Sequence, residues 1–301
     1  MFDQVLIPIL YFVVVLGGCF AISLWKLTRQ PTRRPLGEDI LLRRQPGEHL
    51  RVQFSKAWES LVLKGMGRLV LLPCVVFLGV SFAGKQLLNL SPLIHLVLLV
   101  VSPVACIIYG GVRLYGDLRK ITNLRLGLFG ERAVADQLEG LKQKGYEVFH
   151  DVPCVGGSGP FNLDHVVVGK GVVVVVETKT LRKPKDVKDG HKVTYNGQVL
   201  TWPSGATSTR ELEQALRNAE WLRKELKKQA NVEATVHAAL TFPGWFVNGG
   251  PPQAPVLVVS HKSLPNFIEK RFPPHLSPGE TDAVVRHLNL LCTNLSYADV
   301  E

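Results

Sequence analysis

Three apolar runs occupy the first third of the chain. Val5 to Trp25 carries no charge and is long enough, at about 20 residues, to cross a bilayer as a helix. Leu69 to Gly84 is a shorter second run, and Pro92 to Val112 is a third in which His95 is the one side chain that could carry charge near neutral pH. This pattern predicts an all-α membrane module of about three spans over residues 1–118, with a polar loop at 26–68 and the lipid bilayer as its partner. Beyond residue 119 polar and apolar positions alternate more closely, which predicts an α/β domain over 119–301.

Within that second domain, Leu126 to Leu141 has helical spacing. Glu131, Val134, Ala135 and Leu138 stand at i, i+3, i+4 and i+7, so an acid shares the apolar stripe. An acid on a core-facing stripe is costly unless it is paired or meets a cation; a place in the first helical turn, favoured by the helix dipole, is the plainer explanation. Strands come next at Tyr146–Val152, Phe161–Val168 and Val172–Lys179. The Gly156-Gly-Ser-Gly159 loop lacks the Lys-Ser/Thr of a phosphate cradle and opens no helix, so it reads as a turn.

The pair Lys170-Gly171 between the last two strands predicts a two-residue hairpin turn. In that register Gly169 pairs with Val172, paired numbers sum to 341, and Asp164 stands opposite Glu177. Directly paired side chains share a face about 5 Å apart, and Lys179 returns to the same face two residues on. Two acids and one amine therefore meet at the edge of a valine-rich core. Such a set suits Mg²⁺-assisted phosphodiester hydrolysis: hard oxygens for the ion, and a lysine to orient water and offset developing charge. A self-balancing Glu177–Lys179 pair with Asp164 as a bystander is the competing explanation. His165 points to the opposite sheet face as a packed residue, while Asn162 shares the face of Asp164 at the rim.

Charge adds a direction. The formal charge is +10, which favours acidic partners such as nucleic acid or anionic lipid. Ten Lys and Arg residues lie from Lys26 to Arg68, so the positive-inside rule puts the N-terminus outside and everything after Val112 in the cytoplasm. Leu16-Gly-Gly-Cys19 resembles a lipoprotein processing box, but no basic segment precedes the run and apolar residues continue to Trp25, which fits a retained anchor. In the basic loop, Phe54, Trp58 and Leu61 have helical spacing; they form either a helix on the anionic leaflet or a short packed helix in a solvated loop. The five cysteines include no CxxC pair, which argues against a disulfide framework or zinc knuckle.

Three blocks together, Gly127-Leu-Phe-Gly130-Glu131, Asn162-Leu-Asp164-His165 and Glu177-Thr-Lys179, resemble the NERD (nuclease-related) domain of the PD-(D/E)xK, restriction-endonuclease-like superfamily. The resemblance covers about residues 126–226. It implies a mixed sheet flanked by helices and a Mg²⁺-dependent (or Mn²⁺-dependent) nuclease acting on nucleic acid, with DNA as the expected substrate. It implies metal ligation by Asp164, Glu177 and Glu131, with Lys179 as the catalytic lysine. Gln214 resembles the glutamine the superfamily often adds on the next helix. No proline precedes Asp164, a departure from the superfamily name. A non-cleaving binding or scaffold module that keeps the fold is the alternative.

Several further elements belong to the same domain. Leu212, Ala215, Leu216, Ala219 and Leu222 form a buried helical stripe, with Gln214, Asn218 and Trp221 beside it. Asn196-Gly197 predicts a two-residue hairpin among Arg182, Lys183, Lys185, Lys188, Lys192 and Arg210, a basic surface that either tracks a phosphate backbone or serves solvation. Strands at Ala234–Phe242 and Pro255–Ser260 and a helix capped by Ser277-Pro-Gly-Glu280 finish the domain.

Overall fold

The computed structural model describes residues 41–86, 91–157, 159–187 and 189–295, with isolated helical positions between 14 and 25. The predicted span Val5–Trp25 otherwise lies outside the described residues, as does Lys188. Leu42–Leu295 form one compact unit.

A short strand β1 (Leu42–Arg43) precedes helix α1 (Glu48–Met66), which runs through a π-helical turn at Gly67–Leu71 into α2 (Leu72–Gln86). Proline explains the turn. Pro73 has no N–H to give the carbonyl of Leu69, and a π-bulge re-routes the ladder at that point. Helix α3 (Pro92–Glu139) starts behind Ser91 with proline at its first position and runs for 48 residues, despite Pro103 inside it. At 1.5 Å per residue it is about 72 Å long. The chain is helical straight through residues 118 and 119, where the change of composition suggests a break.

Phe54, Trp58 and Leu61 belong to α1, which lies along α3, and Arg68 Nη1 bonds Asp117 Oδ2 at 2.8 Å. Gly84 lets α2 close on α3: a Cβ there would stand 2.6 Å from the His95 ring. Among the described residues, two helices are long and apolar enough to cross a membrane, Glu48–Gly84 and Pro92–Lys144. They contain the predicted second and third spans. Only 11% of each apolar window is buried, whereas a core helix of a soluble domain is mostly covered.

The domain beyond them has a five-stranded mixed sheet. Its strands are β2 (Tyr146–Gly156), β3 (Gly159–Gly169) and β4 (Val172–Thr178), then β5 (Lys192–Tyr195), β6 (Leu200–Thr201) and β7 (Thr207–Ser208) of a smaller sheet. Helix α4 (Arg210–Glu225), β8 (Val236–Thr241), β9 (Phe246–Asn248), β10 (Val256–Val259), α5 (Leu264–Arg271), α6 (Pro278–Cys292) and β11 (Thr293–Leu295) complete the order. The main sheet runs β10-β8-β4-β3-β2 and the smaller one β7-β6-β5-β9; β1 pairs with β11. β4 is parallel to β8 and antiparallel to β3.

The valine run is covered on both faces. Val173 and Val175 pack with Leu212, Ala219 and Leu222 of α4 and with Val284 and Leu288 of α6. Val172, Val174 and Val176 pack with Val134 and Leu138 of α3 and with Leu264 and Ile268 of α5. Leu216 departs from its predicted stripe: it is 39% exposed, and Asn218 is buried instead.

The hairpin turns differ in outcome. Lys170 and Gly171 both have positive φ (51° and 73°), and Gly169 pairs with Val172, giving the two-residue turn expected. At Asn196-Gly197 the loop is instead four residues long, since Tyr195 pairs with Leu200. The Asn196 Oδ1 accepts from the N–H groups of Gln198 and Val199, both at 2.9 Å, and this side-chain turn outcompetes the tight one.

Candidate active site

The hairpin register delivers the two acids to one face. His165 pairs with Val176, Val166 with Val175 and Val168 with Val173, every sum being 341. Asp164 and Glu177 are the next step of that series, on the side of Val166 and Val175, toward α4. At the last step the ladder opens: Asp164 Oδ2 accepts the Thr178 N–H at 2.7 Å.

Glu177 is 2% exposed and its carboxylate is surrounded by donors. Gln214 Nε2 gives to Oε1 at 2.7 Å, Asn218 Nδ2 gives to Oε2 at 2.7 Å, and Lys179 Nζ lies 2.6 Å from Oε1. Gln214 thus reaches the predicted site. Asn218, one helical turn later, does the same work for the other oxygen and was not assigned from sequence; its i+4 spacing from Gln214 was the signal. Replacing Asn218 by Leu leaves a buried carboxylate oxygen without its donor. It is expected to cost about 1–3 kcal/mol, measurable as a lowered Tm.

Glu131 arrives from α3, on the other face, at the strand ends. It is 5% exposed, and its Oε2 is buried with no hydrogen-bond partner. Gly130 makes the approach possible. A Cβ there would sit 1.8 Å from Thr180 Oγ1 and 2.9 Å from its Cβ. Gly130→Ala therefore forces α3 away from the chain after β4, at an expected cost of about 1–3 kcal/mol for overpacking, checked by chemical denaturation.

Electrostatics link the acids. Burial first, then the charges of Glu177 and Glu131, push Asp164 well above the usual carboxylate range. Burial pushes Glu131 up to about 7; His49 and Lys179 oppose the rise, and Asp151 and Glu177 add to it. Both acids are held where their charged forms are poorly compensated by protein groups.

Asp151 is the residue that sequence reasoning missed. It is fully buried within β2 at φ 49°. Neighbouring pairs His150–His165 and Val152–Leu163 sum to 315, so the same register arithmetic puts Asp151 opposite Asp164. Its carboxylate accepts from Arg44 Nε at 2.8 Å, the His49 N–H at 3.2 Å and Asn162 Nδ2 at 2.8 Å, and it is ion-paired with His49 Nδ1. Asn162 therefore serves Asp151. Behind it, the fully buried His165 shares a 2.9 Å Nδ1···Nδ1 bond with His150, and burial holds both rings well below the ordinary histidine range. His165 is packed on the far face, as its parity predicts.

The donors suit a hard divalent cation: carboxylate oxygens, two of them on acids lifted by burial and by like charges, and one buried oxygen without a partner. Among the described residues, however, no group of three or more His, Cys, Asp or Glu is placed to hold a metal ion unaided. Glu177, one of the three acids expected from sequence, has its carboxylate bonded to Gln214, Asn218 and Lys179. Mg²⁺ is commonly held by one or two carboxylates together with water and phosphate oxygens.

The basic segment after β4 is exposed, and Arg182 Nη2 donates to Asn123 Oδ1 of α3 at 3.1 Å.

The fold is a mixed α/β domain with a multi-strand sheet flanked by helices. Residues 126–243 match the family model of the nuclease-related domain, NERD. The match begins inside α3, five residues before Glu131, and runs past β8. No protein of curated function and no solved structure matches the chain.

Proposed function

We propose that this protein is a membrane-anchored nuclease of restriction-endonuclease-like fold that hydrolyses phosphodiester bonds, with DNA as substrate and Mg²⁺ (or Mn²⁺) as cofactor. The observation that carries the reading is the juxtaposition of Asp164, Glu177 and Lys179. Register puts both acids on one sheet face, and the Lys179 amine is 2.6 Å from Glu177. The apolar helices α2 and α3 support the anchor, and the basic residues between Lys26 and Arg68 support a cytoplasmic location for the domain.

A bound Mg²⁺ lowers the pKa of a coordinated water and polarises the phosphoryl group. Asp164, Glu131 and Glu177 are the residues that would hold the ion through carboxylate oxygens. Lys179 orients the attacking water and offsets charge developing on the phosphorus oxygens. Gln214 and Asn218 fix the Glu177 carboxylate, which in turn fixes the lysine.

The test is cleavage by the purified full-length chain, presented with DNA and RNA strands in Mg²⁺, Mn²⁺ or EDTA. Metal-dependent cleavage of DNA is expected. Salt-sensitive DNA binding with no cleavage in any metal would mark a binding module instead.

A further inference from the structure

We propose that the segment Leu42–Arg51, which precedes and opens α1, is a working part of the active centre, with His49 as a positioning residue for Glu131. The inference rests on the proposed nuclease function. It concerns residues far outside the 126–243 family match.

Three observations converge. First, the segment is built into the domain: β1 pairs with β11, Arg44 N–H donates to the Cys292 carbonyl at 2.9 Å, and Arg43 Nη2 donates to the Val148 carbonyl at 3.0 Å. Second, the segment supplies most of the donors that satisfy the buried Asp151. Arg44 binds it through Nε, while His49 binds it through both backbone N–H and Nδ1. Two separate bonds to one carboxylate fix the start of α1 and the imidazole plane together.

Third, the turn between these anchors lies over Glu131. Gly47 has φ 72°, a conformation side chains rarely adopt, and a Cβ there would stand 3.5 Å from Glu131 Oε2 and 2.5 Å from Leu128 Cδ1. This is the carboxylate oxygen that is buried without a hydrogen-bond partner. The roof is therefore tight against Glu131, and a glycine keeps it so. His49 is close enough to Glu131 for each to influence the charge of the other.

The functional consequence is that Glu131 is held from two sides. Helix α3 carries it, and the Gly47–His49 turn, pinned on Asp151, limits where its carboxylate can go. Groups that orient a metal ligand without touching the ion typically contribute 10–100-fold to metal affinity or activity.

The test uses the full chain in detergent, with Mn²⁺ binding measured by calorimetry and DNA cleavage resolved into kcat and KM. His49→Ala is expected to lower Tm while remaining folded and to keep the wild-type KM for DNA, while Mn²⁺ affinity or kcat falls about 10–100-fold. His49→Asn, whose amide can donate to Asp151 in place of Nδ1, is expected to recover most of the loss. A folded His49→Ala protein with wild-type Mn²⁺ affinity and kcat overturns the proposal. Should His49→Ala fail to fold, Gly47→Ala carries the test, since it removes none of the Asp151 donors while straining the turn and crowding Leu128 and Glu131; unchanged affinity and kcat there overturn it equally. Asp164→Ala separates the two readings. If it is dead while both roof variants are fully active, the nuclease stands and this inference falls. If wild type neither binds Mn²⁺ nor cuts, both fall.

Discussion

Lys179→Ala is expected to lower kcat for DNA cleavage by about 10²–10³-fold, the usual effect of removing one group that stabilises developing charge, with DNA affinity little changed. The Lys179 amine pairs with Glu177 and its side chain is 27% exposed, while its backbone N–H bond to the Thr241 carbonyl survives the substitution, so the end of β4 is kept. Asp164→Ala is expected to abolish metal-dependent cleavage. Asp164 also accepts the Thr178 N–H, so its loss frees a buried backbone donor at the end of β4. The measurement is single-turnover cleavage of a labelled duplex, with Tm recorded for each variant. Wild-type rates from both substitutions would remove the enzyme and leave the fold.

The second large effect concerns pH. Glu131 ionises at about 7 in the folded chain against 4.5 in an unfolded one. Below pH 4.5 the carboxyl is protonated in both states, and its contribution to stability is fully present. As pH rises through 4.5 toward 7, only the unfolded state releases the proton, so stability falls. Above pH 7 the loss is complete, at about 3 kcal/mol. Asp164, raised in the same direction, adds to the slope. A Tm scan in EDTA from pH 4 to 8 is expected to decline, and Glu131→Gln is expected to flatten it. Mg²⁺ favours the ionised carboxylates, so adding it is expected to restore Tm mainly above pH 7.

The parts of this architecture legible in the sequence are those with short-range rules. A two-residue turn fixes a hairpin's register, and a strand's period of two fixes its faces, so Asp164 and Glu177 can be paired on paper. Helical spacing places Glu131 on the buried stripe, and the resemblance points to Gln214, which bonds Glu177. Other parts depend on contacts distant in sequence. Nothing local in Leu42-Arg43 announces a strand, because its partner is Leu295-Thr293, some 250 residues later. Asp151 sits in a strand at a φ that strand patterns exclude, and His49 gains meaning only once Asp151 is known. The long α3 is obscured by its composition: an apolar half and a polar half read as two elements, yet no proline lies between Val104 and Glu139 to stop the helix.

That uninterrupted α3 has a mechanical consequence. From Val112, where the apolar run ends, to Glu131 is 19 residues of helix, about 28 Å of rise. Under the proposed anchoring, α3 would be a stilt whose length sets the height of Glu131 above the lipid headgroups. Its pitch also sets the azimuth: each residue added or removed along the stilt swings the domain by about 100° around the axis.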